Sequence, residues 1–177
     1  MTKSIVVNLL SGPGCGKSTV AAKVFSMLKE KGFSAELVTE YVKDIVYDDN
    51  TGELLDQLLI SAQQNHRLQR LDKKVNFIIC DASLLNGVVY NQFYDIVDPA
   101  LDAILLDRFN QYDNENFFLP RVHNYSQQGR TQTYDEAVEL DCLFEYYLHD
   151  NSIPFHDLRK LVPSDVATYV YKTLISA

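Results

Sequence analysis

A chain of 177 residues with 46% hydrophobic content is long enough for one domain with a buried core, and no apolar run in it approaches the length of a membrane span. Its net charge of −8 argues against broad, non-specific attraction to nucleic-acid phosphates and leaves room only for a local basic site. Cys15, Cys80 and Cys142 lack metal-ligand spacing and read as reduced thiols, and the first residues lack a signal-peptide layout, so the expected compartment is the cytoplasm.

The apolar run 4–10 predicts a central parallel strand buried on both faces. Ser11-Gly12-Pro13-Gly14-Cys15-Gly16-Lys17-Ser18-Thr19 follows it directly. A helical pattern then carries Val20, Val24, Met27 and Leu28 as far as Gly32. Strand, glycine-rich turn and helix start are the context of a P-loop. The glycines let the backbone curl with its N–H groups inward, and the helix start adds unpaired donors and a partial positive charge. Gly12, Pro13, Gly14, Cys15, Gly16, Lys17, Ser18 and Thr19 are therefore the expected phosphate cradle. Lys17 supplies a mobile charge for the outer phosphates, and the Ser18 hydroxyl is a hard ligand for Mg2+. Ser11 stands where the pattern usually has its first glycine.

Strand two, 35–39, delivers Glu40 to the ligand edge of the sheet, beside the P-loop. A short helix, 41–47, and a turn, 48–52, lead to a long helix over about 53–73. Its buried side is expected to be Leu54, Leu55, Leu58, Leu59 and Ala62, with Gln63, Arg67 and Arg70 opposite. That polar stripe reads either as a solvated face or as a substrate-contacting edge, in which Gln63 and Arg67 make the contacts. Strand three, 77–80, ends in Asp81, the Walker B form, which can hold the water shell of a magnesium ion. Residues 83–94 read as an active-site segment with helical content. Pro99 opens a helix with Leu101, Ile104, Leu105 and Phe109 as its apolar face, and strand four is 115–119. The polar stretch 121–133 predicts a lid whose Arg121 and Arg130 close over the phosphates. Helix 134–149 carries Asp141 on an otherwise apolar stripe, strand five is 153–158, and Pro163 begins the last helix.

This β–α alternation predicts an α/β fold, a parallel sheet of five strands with helices on both faces, as one domain over residues 1–177. Several stretches resemble the nicotinamide-riboside-kinase-like (AAA-type) P-loop ATPases and, more broadly, the nucleoside and nucleotide kinases. The carriers are SGPGCGKST, Thr39-Glu40-Tyr41-Val42-Lys43, the pair Gln63-Gln64, Ile79-Cys80-Asp81-Ala82-Ser83, Phe117-Phe118-Leu119-Pro120 and Gly129-Arg130-Thr131-Gln132. The resemblance implies a three-layer P-loop NTPase with strand order 2-3-1-4-5, ATP with Mg2+, and a lid in which Arg130 is the better of the two arginines. It departs at two places. Family members often have arginine where this chain has Lys43, and related deoxynucleoside kinases carry an arginine where it has Ala82.

Phosphoryl transfer needs positioning and positive charge more than covalent help from the protein. Lys17, the loop amides and Mg2+ supply part of that, and Arg121 and Arg130 the rest. A hydroxyl acceptor benefits from a nearby carboxylate, and Glu40 and Asp81 are the two candidates. The sequence thus points to a small-molecule kinase moving the γ-phosphoryl group of ATP to a nucleoside, nucleotide or related ribosyl compound. The alternatives are a polynucleotide 5′-end kinase and a P-loop ATPase switch that has no phosphoryl acceptor. The acceptor and the oligomeric state are left open.

Overall fold

The computed structural model describes residues 3–121, 125–126 and 131–176. In chain order these form β1 (Ile5–Leu10), α1 (Lys17–Glu30), β2 (Ala35–Val38), α2 (Tyr41–Tyr47), a 3₁₀ turn (Thr51–Leu55) and α3 (Gln57–Gln69). Then come β3 (Phe77–Cys80), α4 (Leu85–Phe93), α5 (Pro99–Asn110), β4 (Asp113–Phe118), α6 (Tyr134–Asp150), β5 (His156–Asp157) and α7 (Pro163–Ser176). The strands pair in parallel in the order β2-β3-β1-β4-β5, as the resemblance implied. Among the described residues no helix is long and apolar enough to cross a membrane.

Alternation along β1 divides the interior into two cores. Val6 and Leu10 face a core shared with α3, α4, α5 and α6, while Val7 and Leu9 face one shared with α1 and α7. Both faces of the sheet are thereby covered, which is why β1 reads as an almost unbroken apolar run. Asn8 is the polar interruption. Its amide donates to Asn114 Oδ1 at 2.9 Å and Asn116 Oδ1 at 3.0 Å, so the buried group is paired across the β1–β4 ladder.

The long helix expected over 53–73 is two pieces. Asp56 ends the 3₁₀ turn, and its carboxylate accepts the Leu59 N–H at 2.9 Å, capping a fresh start for α3. The restart breaks up the expected leucine stripe: Leu55 is 61% and Leu58 63% exposed, Ala62 is exposed too, and Leu54 and Leu59 are half-buried. The side of α3 that turns inward is instead Gln57, Ile60, Ser61, Gln64 and Leu68. Smaller corrections concern other boundaries. α1 begins two residues early, at Lys17. β4 begins at Asp113, and β5 shrinks to His156–Asp157. Ile104 of α5 is exposed. Of the expected lid, Arg130 lies outside the described residues, as do His123, Gln127, Gln128 and Gly129.

Candidate active site

The C-terminal ends of β1, β2 and β3 each deliver one functional segment to the same edge of the sheet. After β1 the loop over residues 11–16 turns into α1, with Gly16 at φ 81° in the left-handed region that admits glycine without strain. Gly12 has a second reason to be glycine: a Cβ there would lie 2.4 Å from the Ala137 carbonyl oxygen. The loop is thus pressed against α6. Asp141 of α6 completes that contact by accepting the Gly12 N–H at 2.6 Å.

Lys17 donates to the carbonyls of Ser11 and Gly12, both at 2.8 Å. Burial pulls its ammonium below the usual lysine range, and the Glu40 carboxylate is the largest influence in the other direction. Asp81, at the end of β3, is 3% exposed and fully engaged. Its Oδ1 accepts the Glu40 N–H at 2.9 Å, and its Oδ2 accepts the Ser18 hydroxyl at 2.6 Å and the Lys43 ammonium at 3.0 Å. The Lys43 ammonium also donates to Ser18 Oγ at 2.6 Å. Two hard oxygens that converge on a cation already bonded to both fit a divalent ion. Among the described residues no group of three or more His, Cys, Asp or Glu could hold a metal without further ligands. Ser18 and Asp81 would supply two of the hard oxygens that such an ion takes.

Glu40 stands at the N-cap of α2, yet its side chain makes no capping hydrogen bond. Gln64 does that work from α3: its Oε1 accepts the Tyr41 N–H at 3.2 Å and its Nε2 donates to the Ala82 carbonyl at 3.0 Å. One buried amide so ties the start of α2 to the exit of β3. Glu40 lines a cavity of about 260 Å³ that also takes in Gly14, Lys17 and Ser18 of the loop. The far wall of the cavity is made by Gln57 and Ser61 of α3, Asn86, Tyr90 and Tyr94 around α4, and Gln132.

Residues 6–164 match a protein family described as an AAA domain. The chain belongs to that AAA domain family. A search of curated proteins returns no match. Among solved structures, the AAA domain is similar to deoxyadenosine kinase from M. mycoides, at 18% identity and a TM-score of 0.62, over 97% of this chain and 100% of that one. It is also similar to thymidylate kinase from Candida albicans, at 17% identity and a TM-score of 0.61, over 98% of this chain and 92% of that one. At such identities the likeness is one of fold, and that fold is the P-loop kinase fold.

The AAA domain places Pro13, Gly14, Gly16, Lys17, Ser18, Thr19 and Glu40 on one cavity with Asp81 hydrogen-bonded to Ser18, and it gives Arg121, Arg67, Gln63 and Cys15 different posts. Arg121 is spent on the loop itself. Its Nε donates to Asp141 at 2.7 Å, and its terminal nitrogens donate to the carbonyls of Pro13 and Ala137, each at 2.8 Å. Burial is the largest single influence and opposes the charge, but the hydrogen bond to Asp141 and the nearby Cys15, Asp141 and Tyr134 together outweigh it and leave the pKa above the ordinary arginine value. Arg121 does not line the cavity. Arg67 braces the turn between β2 and α2: it donates to the Thr39 carbonyl at 3.0 Å, pairs with Asp44 and lies 5.2 Å over the Tyr41 ring. Gln63 is exposed, and its neighbour Gln64 takes the inward position. Cys15 is buried, and desolvation raises its thiol pKa, so it fills space behind the loop.

Sequence reasoning missed Gln57 and Ser61, and reached Asn86, Tyr90 and Tyr94 only as unnamed members of the segment 83–94. Gln57, Ser61 and Gln64 recur at spacings of four and three, a polar helical stripe that was present to be read. The competing leucine stripe masked it, because the break at Asp56 is not visible in either pattern.

Proposed function

We propose that this AAA domain is an ATP- and Mg2+-dependent phosphotransferase whose acceptor is a nucleoside, a nucleotide or a related ribosyl compound. One observation carries the reading. The cavity continues past the phosphate loop and Glu40 to a wall of amides, a hydroxyl and tyrosines, so a second small molecule has a place beside the outer phosphates. A nucleobase offers donors, acceptors and a flat face, and such a wall matches all three.

The chemistry follows from the residues present. An acceptor hydroxyl oxygen attacks the γ-phosphorus, the bond from that phosphorus to the β–γ bridging oxygen breaks, and ADP leaves with the bond's electrons. The hydroxyl proton passes to the Glu40 carboxylate, which lines the cavity without capping α2. Lys17 places a full charge at the mouth of the cradle, and the loop amides hold the phosphates from behind. Ser18 and Asp81 would hold the Mg2+, which when bound neutralises developing charge on the phosphates. Asp81 is the weaker base candidate, because it is the carboxylate assigned with Ser18 to the Mg2+.

An acceptor screen tests the proposal. Purified protein, Mg2+ and γ-labelled ATP are incubated with nucleosides, nucleotides, nicotinamide riboside and 5′-hydroxyl oligonucleotides. Label transfer to one of the small molecules supports the reading. Transfer to oligonucleotides alone, or hydrolysis with no transfer, would replace it with the polynucleotide kinase or the ATPase switch.

A further inference from the structure

Lys43 lies on α2, three residues after Glu40. Its ammonium stands on Ser18 Oγ at 2.6 Å and on Asp81 Oδ2 at 3.0 Å, and those two oxygens are 2.6 Å from each other. They are the same pair that the proposed function assigns to the metal. A buried carboxylate is costly to leave uncompensated, and Lys43 cancels the charge of Asp81 directly. A divalent ion on those oxygens would sit within contact distance of the ammonium, and the two positive charges would repel. The partners differ in freedom. Asp81 is held from its other oxygen by the Glu40 N–H and is 3% exposed, whereas Lys43 is 37% exposed on a flexible stem that can swing its head into water.

We propose that Lys43 is a resident surrogate cation for the metal site. In the nucleotide-free protein it keeps Ser18 and Asp81 together and neutral, and it must leave them before a divalent ion can bind. The inference rests on the assignment of Ser18 and Asp81 to the metal, and not on the identity of the acceptor. Its consequence is that apparent affinity for a bare ion is scaled down by the fraction of molecules with Lys43 withdrawn. If Lys43 is docked about nine-tenths of the time, that factor is about ten. An ion carried in on a polyphosphate gains the loop's contacts with the phosphates, which help to displace the lysine. Lys43 thereby makes metal occupancy depend on nucleotide, and it specifies metal–nucleotide over metal alone.

Binding of Mn2+ to nucleotide-free protein, followed by the electron paramagnetic resonance of the free ion, tests this. The variants are Lys43→Met, Lys43→Arg and Lys43→Met combined with Asp81→Asn. Lys23→Met, an exposed position on α1, measures the effect of net charge alone. Lys43→Met is expected to bind Mn2+ about tenfold tighter than wild type, Lys43→Arg to stay weak, and Asp81→Asn to abolish the gain. Equal affinity in folded wild type and Lys43→Met, or an equal gain from Lys23→Met, overturns the proposal. If Lys43→Met does not fold, the wild type answers the same question. Its lysines are reductively methylated with ¹³C, and the Lys43 signal is assigned by its loss in Lys43→Arg. That signal is expected to move when Mg2+ is added with a non-hydrolysable ATP analogue, and to stay in place with the analogue and EDTA. A signal that ignores Mg2+ overturns the proposal. Neither measurement involves an acceptor, so failure here leaves the phosphotransferase reading standing, and a failed acceptor screen leaves this one standing.

Discussion

Replacing Asp141 with alanine tests whether Arg121 belongs to the loop and not to the cavity. The carboxylate accepts the Gly12 N–H at 2.6 Å and Arg121 Nε at 2.7 Å, and the side chains are only 19% and 12% exposed. A hydrogen bond involving a charged group contributes about 1.5–3 kcal/mol, and two are lost. The guanidinium keeps the carbonyls of Pro13 and Ala137 as acceptors, which limits the damage. The expected loss is therefore about 3 kcal/mol, the low end for breaking a buried pair. At about 2–4 °C per kcal/mol for a domain of this size, Tm falls by about 6–12 °C. Asp141→Asn retains an acceptor for the Gly12 N–H and should lose about half as much. Urea unfolding of Arg121→Ala, Asp141→Ala and the double variant closes the cycle, with an expected coupling of about 1.5–3 kcal/mol. Nucleotide affinity should fall in both single variants, because the loop loses its strut. Coupling below about 0.5 kcal/mol would refute the ion pair as a stabilising unit. A folded Arg121→Ala protein with unchanged nucleotide affinity and a collapsed turnover would return Arg121 to the transfer step.

Lys17→Met should abolish transfer yet melt no lower than wild type. Burial holds the Lys17 pKa below its unfolded value, so the charge costs stability in full below the folded-state pKa, and that cost lifts as pH rises from there towards the unfolded value. A Tm far below wild type at neutral pH would contradict that sign. Asp81→Asn should reduce turnover more than nucleotide affinity, since charge on the phosphates matters most in the transition state, and equal losses in both would count against it. Glu40→Gln should cut transfer by about a hundredfold while leaving ATP binding and stability nearly unchanged, and persistent acceptor phosphorylation would remove Glu40 as the base.

The central sheet and the loop were legible because their signals are local. An apolar run, a glycine-rich turn and a helix start lie within fifteen residues, and Asp81 follows its own short strand. What stayed illegible depended on contacts between distant segments. Arg121 reads as a free cation in sequence because Asp141, twenty residues later on another element, gives no local sign of pairing with it. The leucines of α3 outweigh its glutamines in any periodicity count, and only the cap at Asp56 decides which side faces inward. Lys43 stood out in sequence only as a departure from arginine, with nothing to say that its head would rest on Ser18 and Asp81.

Asp81 does more in the structure than a Walker B carboxylate needs for a metal. One oxygen holds the Ser18 hydroxyl and the Lys43 ammonium, and the other holds the backbone N–H of Glu40. The start of α2, and with it the proposed base, is therefore positioned by the same side chain that serves the cation site. Gln64 adds a second tie from the buried side, between the Tyr41 N–H and the Ala82 carbonyl. With two independent ties the N-terminus of α2 has little freedom, so the Glu40 carboxylate needs no capping bond of its own to stay in place. A base whose backbone is fixed from both sides is well placed to take a proton from an acceptor held in the cavity. Asp81→Asn keeps an acceptor for the Glu40 N–H but loses the charge and the oxygen that accepts from Ser18 and Lys43, whereas Asp81→Ala also loses the acceptor for the Glu40 N–H. The difference in turnover between those two substitutions therefore measures how much of the role of Asp81 is positioning the base.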